Sequence, residues 1–319
     1  MFTAYDRDHF EEHGYVVVDG VLDRERDLQP VVEDYSELLD QLAERWKGEG
    51  KLQSSYRELP FVQRLTKIMA ESDINVSRYL DISLPDAEVD VDEPMHLSDS
   101  IFRMITNPRL LDIVESFVGP EILSNPVQHV RIKPPESTVH GKFEHNFLVR
   151  RTGWHQDQGV LRSEADDTPI LTVWLPVTEA TVENGCLRVI PGSHRKGLAH
   201  HCPGEDGLTI PAQLLQQPAV SLPMKAGSVL FMHRLTQHSS LSNLSDTIRW
   251  SFDLRYQPDG LPTGREEFPS FLVRSKSRPE LVVTEFEDWK QLWQTARVRL
   301  AHEQRRTKHR WPTNAPVCA

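Results

Sequence analysis

Cysteine is scarce in this chain: Cys186, Cys202 and Cys318 are the only three in 319 residues. Their number is odd and their spacing matches no metal-ligand pattern, so neither a disulfide framework nor a zinc ribbon is expected, and all three read as free thiols. Long apolar runs are missing too. No stretch approaches the roughly 20 residues that span a bilayer, and the opening MFTAYDRDHFEEHGY lacks the basic segment and apolar run of a secretory leader. A protein of the cytoplasm, with no membrane partner, is the expectation. Positive charge is in deficit: Lys and Arg number 36 against 47 Asp and Glu, a formal net charge of -11. A field of that sign repels nucleic acid and anionic lipid, which makes both poor first partners. There is no internal repeat and no low-complexity linker, so one domain over 1–319 is favoured over an array or a string of modules.

What is present falls into three textures. Residues 1–125 read as a mostly helical flank. Val16, Val17 and Val18 form a short strand closed by Asp19-Gly20. Over 25–46, Leu28, Val31, Val32, Tyr35, Leu38, Leu39, Leu42 and Trp46 fall at the three-and-four spacing of one long amphipathic helix. A weaker helical pattern runs over 60–80 through Phe61, Leu65, Ile68 and Met69. The acidic stretch PDAEVDVDE over 85–93 reads as a solvated loop, because it lacks the glycine and closing glutamate of a calcium-binding EF-hand. Asn107-Pro108 starts a helix that Gly119 ends, with Leu110, Leu111, Ile113, Val114 and Phe117 as its buried face.

From 126 to 258 short apolar runs separated by Pro, Gly, Asn and Asp predict strands over 127–132, 170–175, 186–190, 228–232 and 248–256, an antiparallel sandwich or small barrel. The extension 259–319 returns to helix over 286–310, with Trp289, Leu292, Trp293, Ala296 and Leu300 on one side. These aromatics read as exposed and make a dimer conceivable; monomer and homodimer both stay open. The basic end RRTKHR suits the negative end of a helix dipole and reads as a solvated last turn.

The sharpest local feature is Trp154-His155-Gln156-Asp157. On an extended strand residues two apart share a side, so His155 and Asp157 can converge on one ion, although a surface hydrogen-bonded pair is the ordinary meaning of such a triplet. A second histidine from a distant strand would complete two imidazoles and one carboxylate on one face of a metal, the arrangement of non-haem Fe(II) centres with open positions. His238 supplies it, eleven residues before Arg249; His233, sixteen before, is its competitor. Arg249 is suited to meet the far carboxylate of a chelating dicarboxylate with a two-bond fork, and Ser251, on the same side of the strand, adds a hydroxyl. Taken alone, Arg249 reads as a surface residue paired with Asp246 or Asp253.

In this order the motifs resemble the phytanoyl-CoA dioxygenase family of Fe(II)- and 2-oxoglutarate-dependent oxygenases. The match runs from Phe10-Glu11-Glu12-His13-Gly14-Tyr15 through Ile132-Lys133-Pro134-Pro135, His155-Gln156-Asp157, Trp174-Leu175-Pro176-Val177, Asn184-Gly185-Cys186-Leu187 and Pro191-Gly192-Ser193-His194 to His238 and Arg249. The resemblance implies a double-stranded β-helix core, the cupin-like jelly roll, with flanking helices. It implies His155, Asp157 and His238 as iron ligands and Arg249 as the anchor of 2-oxoglutarate, with Ser251, Lys133 and Trp174 beside the co-substrate. Lys133 also reads as an exposed strand lysine, and Trp174 as a core aromatic. His194 belongs to a turn and is left outside the metal set; His129, His140 and His145 read as loop residues.

The reaction so implied consumes O2 and 2-oxoglutarate, releases succinate and CO2, and hydroxylates a C–H bond of a small molecule; desaturation or ring formation are its variants. A halogenase is disfavoured because halogenating relatives lack the carboxylate that Asp157 provides. The substrate is not legible in 136–151 or 195–222, which carry no interpretable motif; natural-product tailoring is the broad class. A sensor that binds the same ligands without turnover, and a cupin-like hydrolase or isomerase using another divalent ion, are the rival readings.

Overall fold

The computed structural model describes residues 2–86, 88–139, 151–204, 207–215, 218–303, 310–312 and 315–318. Its strands are β1 (Tyr15–Val18), β2 (Ile122–Ser124), β3 (His129–Lys133), β4 (Leu171–Pro176), β5 (Leu187–Val189), β6 (Cys202–Gly204), β7 (Gly207–Thr209), β8 (Val220–Leu222), β9 (Val229–His233), β10 (His238–Ser240), β11 (Arg249–Pro258) and β12 (Phe271–Arg274). Helices are α1 (Ala4–His13), α2 (Gln29–Gly48), α3 (Phe61–Glu71), α4 (Ser77–Leu80), α5 (Asp99–Ile105), α6 (Pro108–Val118), α7 (Glu136–Val139), α8 (Asp157–Val160) and α9 (Phe286–Ala301).

The fold is organised around β11. Its sequence RWSFDLRYQP alternates polar and apolar residues, so one face carries Arg249, Ser251, Asp253 and Arg255 and the other Trp250, Phe252, Leu254 and Tyr256. Strand β4 pairs along one edge; β3 and β2 pair in succession along the other. The large sheet runs β1-β9-β4-β11-β2-β12, and a smaller sheet, β10-β5-β8, faces it, in the jelly-roll arrangement but without closing into a continuous barrel. Strands from outside 126–258, β1 and β12 among them, therefore complete the large sheet.

Each face of that sheet has its own core. The apolar side of β11 joins Val173, Leu175, Val229 and Phe231 against the helices, where Tyr35 of α2 and Phe61 of α3 pack on Trp250 at ring distances of 4.9 and 5.0 Å. The inner side holds a smaller cluster between the sheets, with Trp174, Leu187, Val189, Leu230 and Met232. The chemistry described below lies at the polar end of that inner space.

Several expectations meet the structure closely. The five expected strands fall on β3, β4, β5, β9 and β11, and α6 is capped by the Asn107 side chain, which accepts from the backbone N–H groups of Arg109 and Leu110. Others are corrected. The helix expected over 25–46 begins instead with a π-turn at Arg24–Leu28 and becomes α-helical at Gln29, because Pro30 has no N–H to donate into the first turn. The loop over 85–93 is only partly solvated: Val89 enters the core, and Glu93, 3% exposed, accepts two hydrogen bonds from the Arg78 guanidinium at 2.6 and 2.5 Å. A paired carboxylate can be buried, which an acidic composition alone does not reveal.

Trp289 and Trp293 are not exposed but lie in the core, Trp289 on Phe102 and Phe271 and Trp293 on Phe268; Leu292 faces outward. The two tryptophans are therefore not available to a partner subunit. Cys202 and Cys318 are not free thiols: they form a disulfide across a separation of 116 residues, leaving Cys186 free and buried. Of the basic end RRTKHR, only Arg310 lies within the described residues, and it is ion-paired with Asp166 instead of solvated. No described helix is long and apolar enough to cross a membrane.

Candidate metal centre

His155 forms an isolated bridge on the free edge of β10. It and His238 exchange two backbone hydrogen bonds of 2.9 Å, each N–H donating to the other's carbonyl. Directly paired residues send their side chains to one face, so the two imidazoles sit side by side with centroids 4.1 Å apart. Gln156 is extended (φ -118°, ψ 139°), which carries the alternation one step further and returns Asp157 to the same side. Asp157 is the first residue of α8, not a strand residue as expected, yet the two-residue logic survives. One ligand atom from each of His155, Asp157 and His238 lies within 4.8 Å of the others, and all three residues are buried.

The hydrogen bonds around the three residues define what they offer. Nδ1 of His155 is 2.9 Å from the Gly153 carbonyl, and Nδ1 of His238 is 3.0 Å from that of Thr236. A carbonyl only accepts, so each Nδ1 carries the proton and each Nε2 keeps a lone pair for a cation. Burial, followed by the neighbouring His238, pushes the His155 pKa well below its usual value, which keeps that ring neutral. Burial alone would raise the Asp157 pKa. The Arg255 guanidinium, which donates to Oδ1, leads the opposing effects, and together with the Thr172 hydroxyl on Oδ2 it holds the group below the usual carboxylate range. Two imidazole nitrogens and one ionised carboxylate are the donor set of an Fe(II)-class centre, and these residues fit such an ion.

Arg249 opens β11 in the same pocket. It is buried, donates from one terminal nitrogen to Ser251 Oγ at 2.9 Å, and lies with its guanidinium carbon 5.4 Å from the centre of the Trp174 ring. Its Nε has no partner among the described residues. Asp246 is not its partner, and Asp253 is held by Arg131. Lys133 sits opposite Arg249 in the β3–β11 register and donates to Ser240 Oγ at 2.6 Å and the Leu241 carbonyl at 2.7 Å; it is buried, not an exposed strand lysine. Trp174 is at once a core residue of the inner cluster and part of the pocket wall.

The pocket has about 390 Å³ of empty space, part of it open to solvent. Its walls include Arg131, Arg249 and Arg255 beside the three candidate ligands; Ser251 and Lys133 are not among the lining residues. The three arginines outnumber the two carboxylates Asp157 and Asp253, which suits an anionic ligand; burial pushes the pKa of Lys133, behind the wall, well below its usual value. The orphaned Arg249 Nε, aimed from a buried side chain, fits a carboxylate there.

His233 does not join the group. It ends β9 on a different flank, 5.1 Å from the ring of His194, and burial, followed by His194, lowers its pKa to about 4. His129 is held by Asp81 at 2.9 Å, while His140 and His145 lie outside the described residues. Sequence reasoning missed Arg255, Thr172, Arg131 and Asp253. For Arg255 and Asp253 the signal was present, since the polar alternation that joins Arg249 to Ser251 continues through both. His201 was also missed: its Nε2 accepts from the backbone N–H of Gln156, between the two ligands, at 2.9 Å.

The family model described as phytanoyl-CoA dioxygenase (PhyH) matches residues 10–251. A phytanoyl-CoA dioxygenase from Arabidopsis thaliana is 33% identical over 134 residues, covering 40% of this chain and 46% of its own. The chain thus spans a little under half the length of that relative. The 1-deoxypentalenic acid 11-beta-hydroxylase of Streptomyces exfoliatus is 27% identical over 268 residues, 80% of this chain and 81% of its own. Among solved structures, the non-heme monooxygenase ThoJ superposes with a TM-score of 0.57 at 19% identity, over 92% of this chain and 97% of its own. The epimerase SnoN, in complex with Fe3+, alpha ketoglutarate and nogalamycin RO, gives 0.51 at 22% identity over 82% and 86%. These likenesses establish the shared fold.

Proposed function

Because the chain belongs to the phytanoyl-CoA dioxygenase family, we propose that it is an Fe(II)- and 2-oxoglutarate-dependent oxygenase that hydroxylates an unactivated C–H bond of a small molecule. The observation that carries this reading is the convergence of His155, Asp157 and His238 in a buried pocket that also holds Arg249. Residues 1–319 act as one such domain, with a cytoplasmic setting. The hydroxylase named for the Streptomyces relative supports natural-product tailoring as the class of reaction.

When bound, iron and 2-oxoglutarate supply the oxidising power: O2 is consumed, the 2-oxo acid is converted to succinate and CO2, and one oxygen atom goes to the substrate. The residues supply everything that makes this selective. His155 and His238 offer Nε2, their tautomers fixed by Gly153 and Thr236; Asp157 offers a carboxylate oxygen while Arg255 and Thr172 keep it ionised and oriented. Arg249, steadied by Ser251 and flanked by the Trp174 ring, meets the far carboxylate of 2-oxoglutarate, and Lys133 braces the wall behind it by donating to Ser240 and the Leu241 carbonyl. The polar end of the inter-sheet space is walled by buried side chains, which restricts water at the reacting atoms.

The test is direct. Purified protein given Fe(II), ascorbate, O2 and 2-oxoglutarate is expected to form succinate, slowly alone and faster with a substrate found by product mass spectrometry in a metabolite extract. Absence of Fe(II) and 2-oxoglutarate binding would overturn the reading, and binding without turnover across a broad screen would replace the enzyme with a sensor.

A further inference from the structure

The C-terminal tail lies against the turn that carries Asp157. Arg310 forms two hydrogen bonds with the Asp166 carboxylate, at 2.6 and 2.7 Å, and reaches the Gln158 carbonyl at 3.2 Å. Trp311 donates its indole N–H to the Gly159 carbonyl at 2.7 Å. Its ring stacks on His201 at 5.3 Å and meets His200 edge-on at 4.8 Å. His201 in turn accepts from the Gln156 N–H, so a continuous path of contacts leads from the tail to the peptide between His155 and Asp157. Farther along, Gln213 donates to the Val317 carbonyl at 2.9 Å, and Cys318 is bonded to Cys202, the residue after His201. The described stretches 310–312 and 315–318 are thereby each tied to the body of the domain, the first of them against the turn that carries Asp157.

We infer that the tail is a working part of the centre: Arg310 and Trp311 are positioning residues for the Asp157 turn, and the Cys202–Cys318 disulfide clasps them in place, so that reduction loosens the metal site. Partners one shell out from metal ligands set ligand orientation, and their loss typically costs about 10- to 100-fold in metal affinity. The bond links the tail to the strand beside His200 and His201, so the docking of Trp311, already intramolecular, proceeds at a higher effective concentration than the chain alone provides. The metal half of this inference rests on the iron-centre reading above, whereas the clasp itself does not.

The clasp is opened by dithiothreitol through thiol–disulfide exchange: two thiols of the reagent provide two electrons and two protons, the Sγ–Sγ bond breaks, Cys202 and Cys318 become thiols, and the reagent leaves as its cyclic disulfide. Full-length protein is first treated with glutathione disulfide, and free thiols are counted after denaturation. One, from Cys186, is expected; three would overturn the clasp. Oxidised protein, reduced protein desalted under nitrogen, Cys318→Ser and Trp311→Ala are then compared by amide hydrogen exchange over 156–161, and oxidised protein and oxidised Trp311→Ala also by Co(II) titration read from visible absorption.

Reduction, Cys318→Ser and Trp311→Ala should each speed exchange in that turn, with peptides of β11 unaffected, and oxidised Trp311→Ala should bind Co(II) about tenfold more weakly; reduced protein is read by exchange alone, because its freed Cys202 and Cys318 thiols lie with His200 in a group that can itself hold a cation. Unchanged exchange in both reduced protein and Trp311→Ala overturns the inference, and faster exchange with unaltered Co(II) affinity overturns the positioning role. Failure of the oxidised protein to bind Co(II) at all would instead fell the iron-centre reading, with hydrogen exchange still deciding the clasp.

Discussion

Arg249 carries its charge to a place where only 1% of its surface meets solvent. Burial lowers its pKa to about 10, which leaves it protonated at neutral pH. A buried guanidinium with an unpartnered N–H is costly unless a ligand provides the acceptor. Arg249→Ala should therefore weaken 2-oxoglutarate binding by about 10- to 100-fold, the equivalent of losing hydrogen bonds to a charged group worth roughly 1.5–3 kcal/mol. Metal affinity should stay within about twofold, since the arginine touches none of the three candidate ligands. Calorimetric titration of each ligand checks both; normal co-substrate affinity would remove the anchoring role. At this scale the sequence was informative because His155, Asp157, His238 and Arg249 are residue types with few alternative reasons to occur in that order. Arg310 and Trp311 were illegible, because what gives them meaning is a contact made from the far end of the chain.

Helix α8 shows how little room an element around the centre has. A Cβ built on Gly159 would stand 2.2 to 2.6 Å from three atoms of the His201 ring. Gly159→Ala must therefore push aside a fully buried imidazole or shift the turn that carries Asp157, and overpacking of this kind costs typically about 1–3 kcal/mol. A lower urea midpoint for the metal-free variant is expected; an unchanged one would mean that His201 repacks without strain. Legibility at this scale followed length and alternation. Strands β4, β9 and β11 stood out, while three-residue strands such as β2, β8 and β10 carry too few side chains to show a period. Helical spacing located the apolar side of α9 but not what that side meets, and so Trp289 and Trp293 read as exposed when they are core.

For the molecule as a whole, burying imidazoles away from any acid makes stability depend on pH. Burial, as the foremost cause, lowers the pKa of both His201 and His233 to about 4, against a usual value near 6.5. Below about pH 6.5 the unfolded chain takes up protons that the folded chain refuses, so this contribution is complete above that pH and is lost as pH falls towards 4. Between pH 7 and 5 the loss should be about 2 kcal/mol for each histidine. Urea unfolding at the two values, repeated with His233→Gln, should show the slope and then its reduction by about 2 kcal/mol over that interval; an undiminished slope in the variant would contradict the burial of that ring. Fold class and the polar pocket of His155, Asp157 and His238 were legible from the ordered motifs. The disulfide was not, because 116 intervening residues leave no local pattern for two cysteines to share.

Strand β11 serves two masters, with arginines turned towards the pocket and aromatics towards the helices. Since successive side chains swap sides, adding or deleting one codon within it would thrust guanidinium groups among tryptophan and phenylalanine rings and bring those rings to the reacting centre. Evolution can exchange letters along this ribbon but cannot change its length by one, so in any lineage of such proteins it should behave as an indel desert.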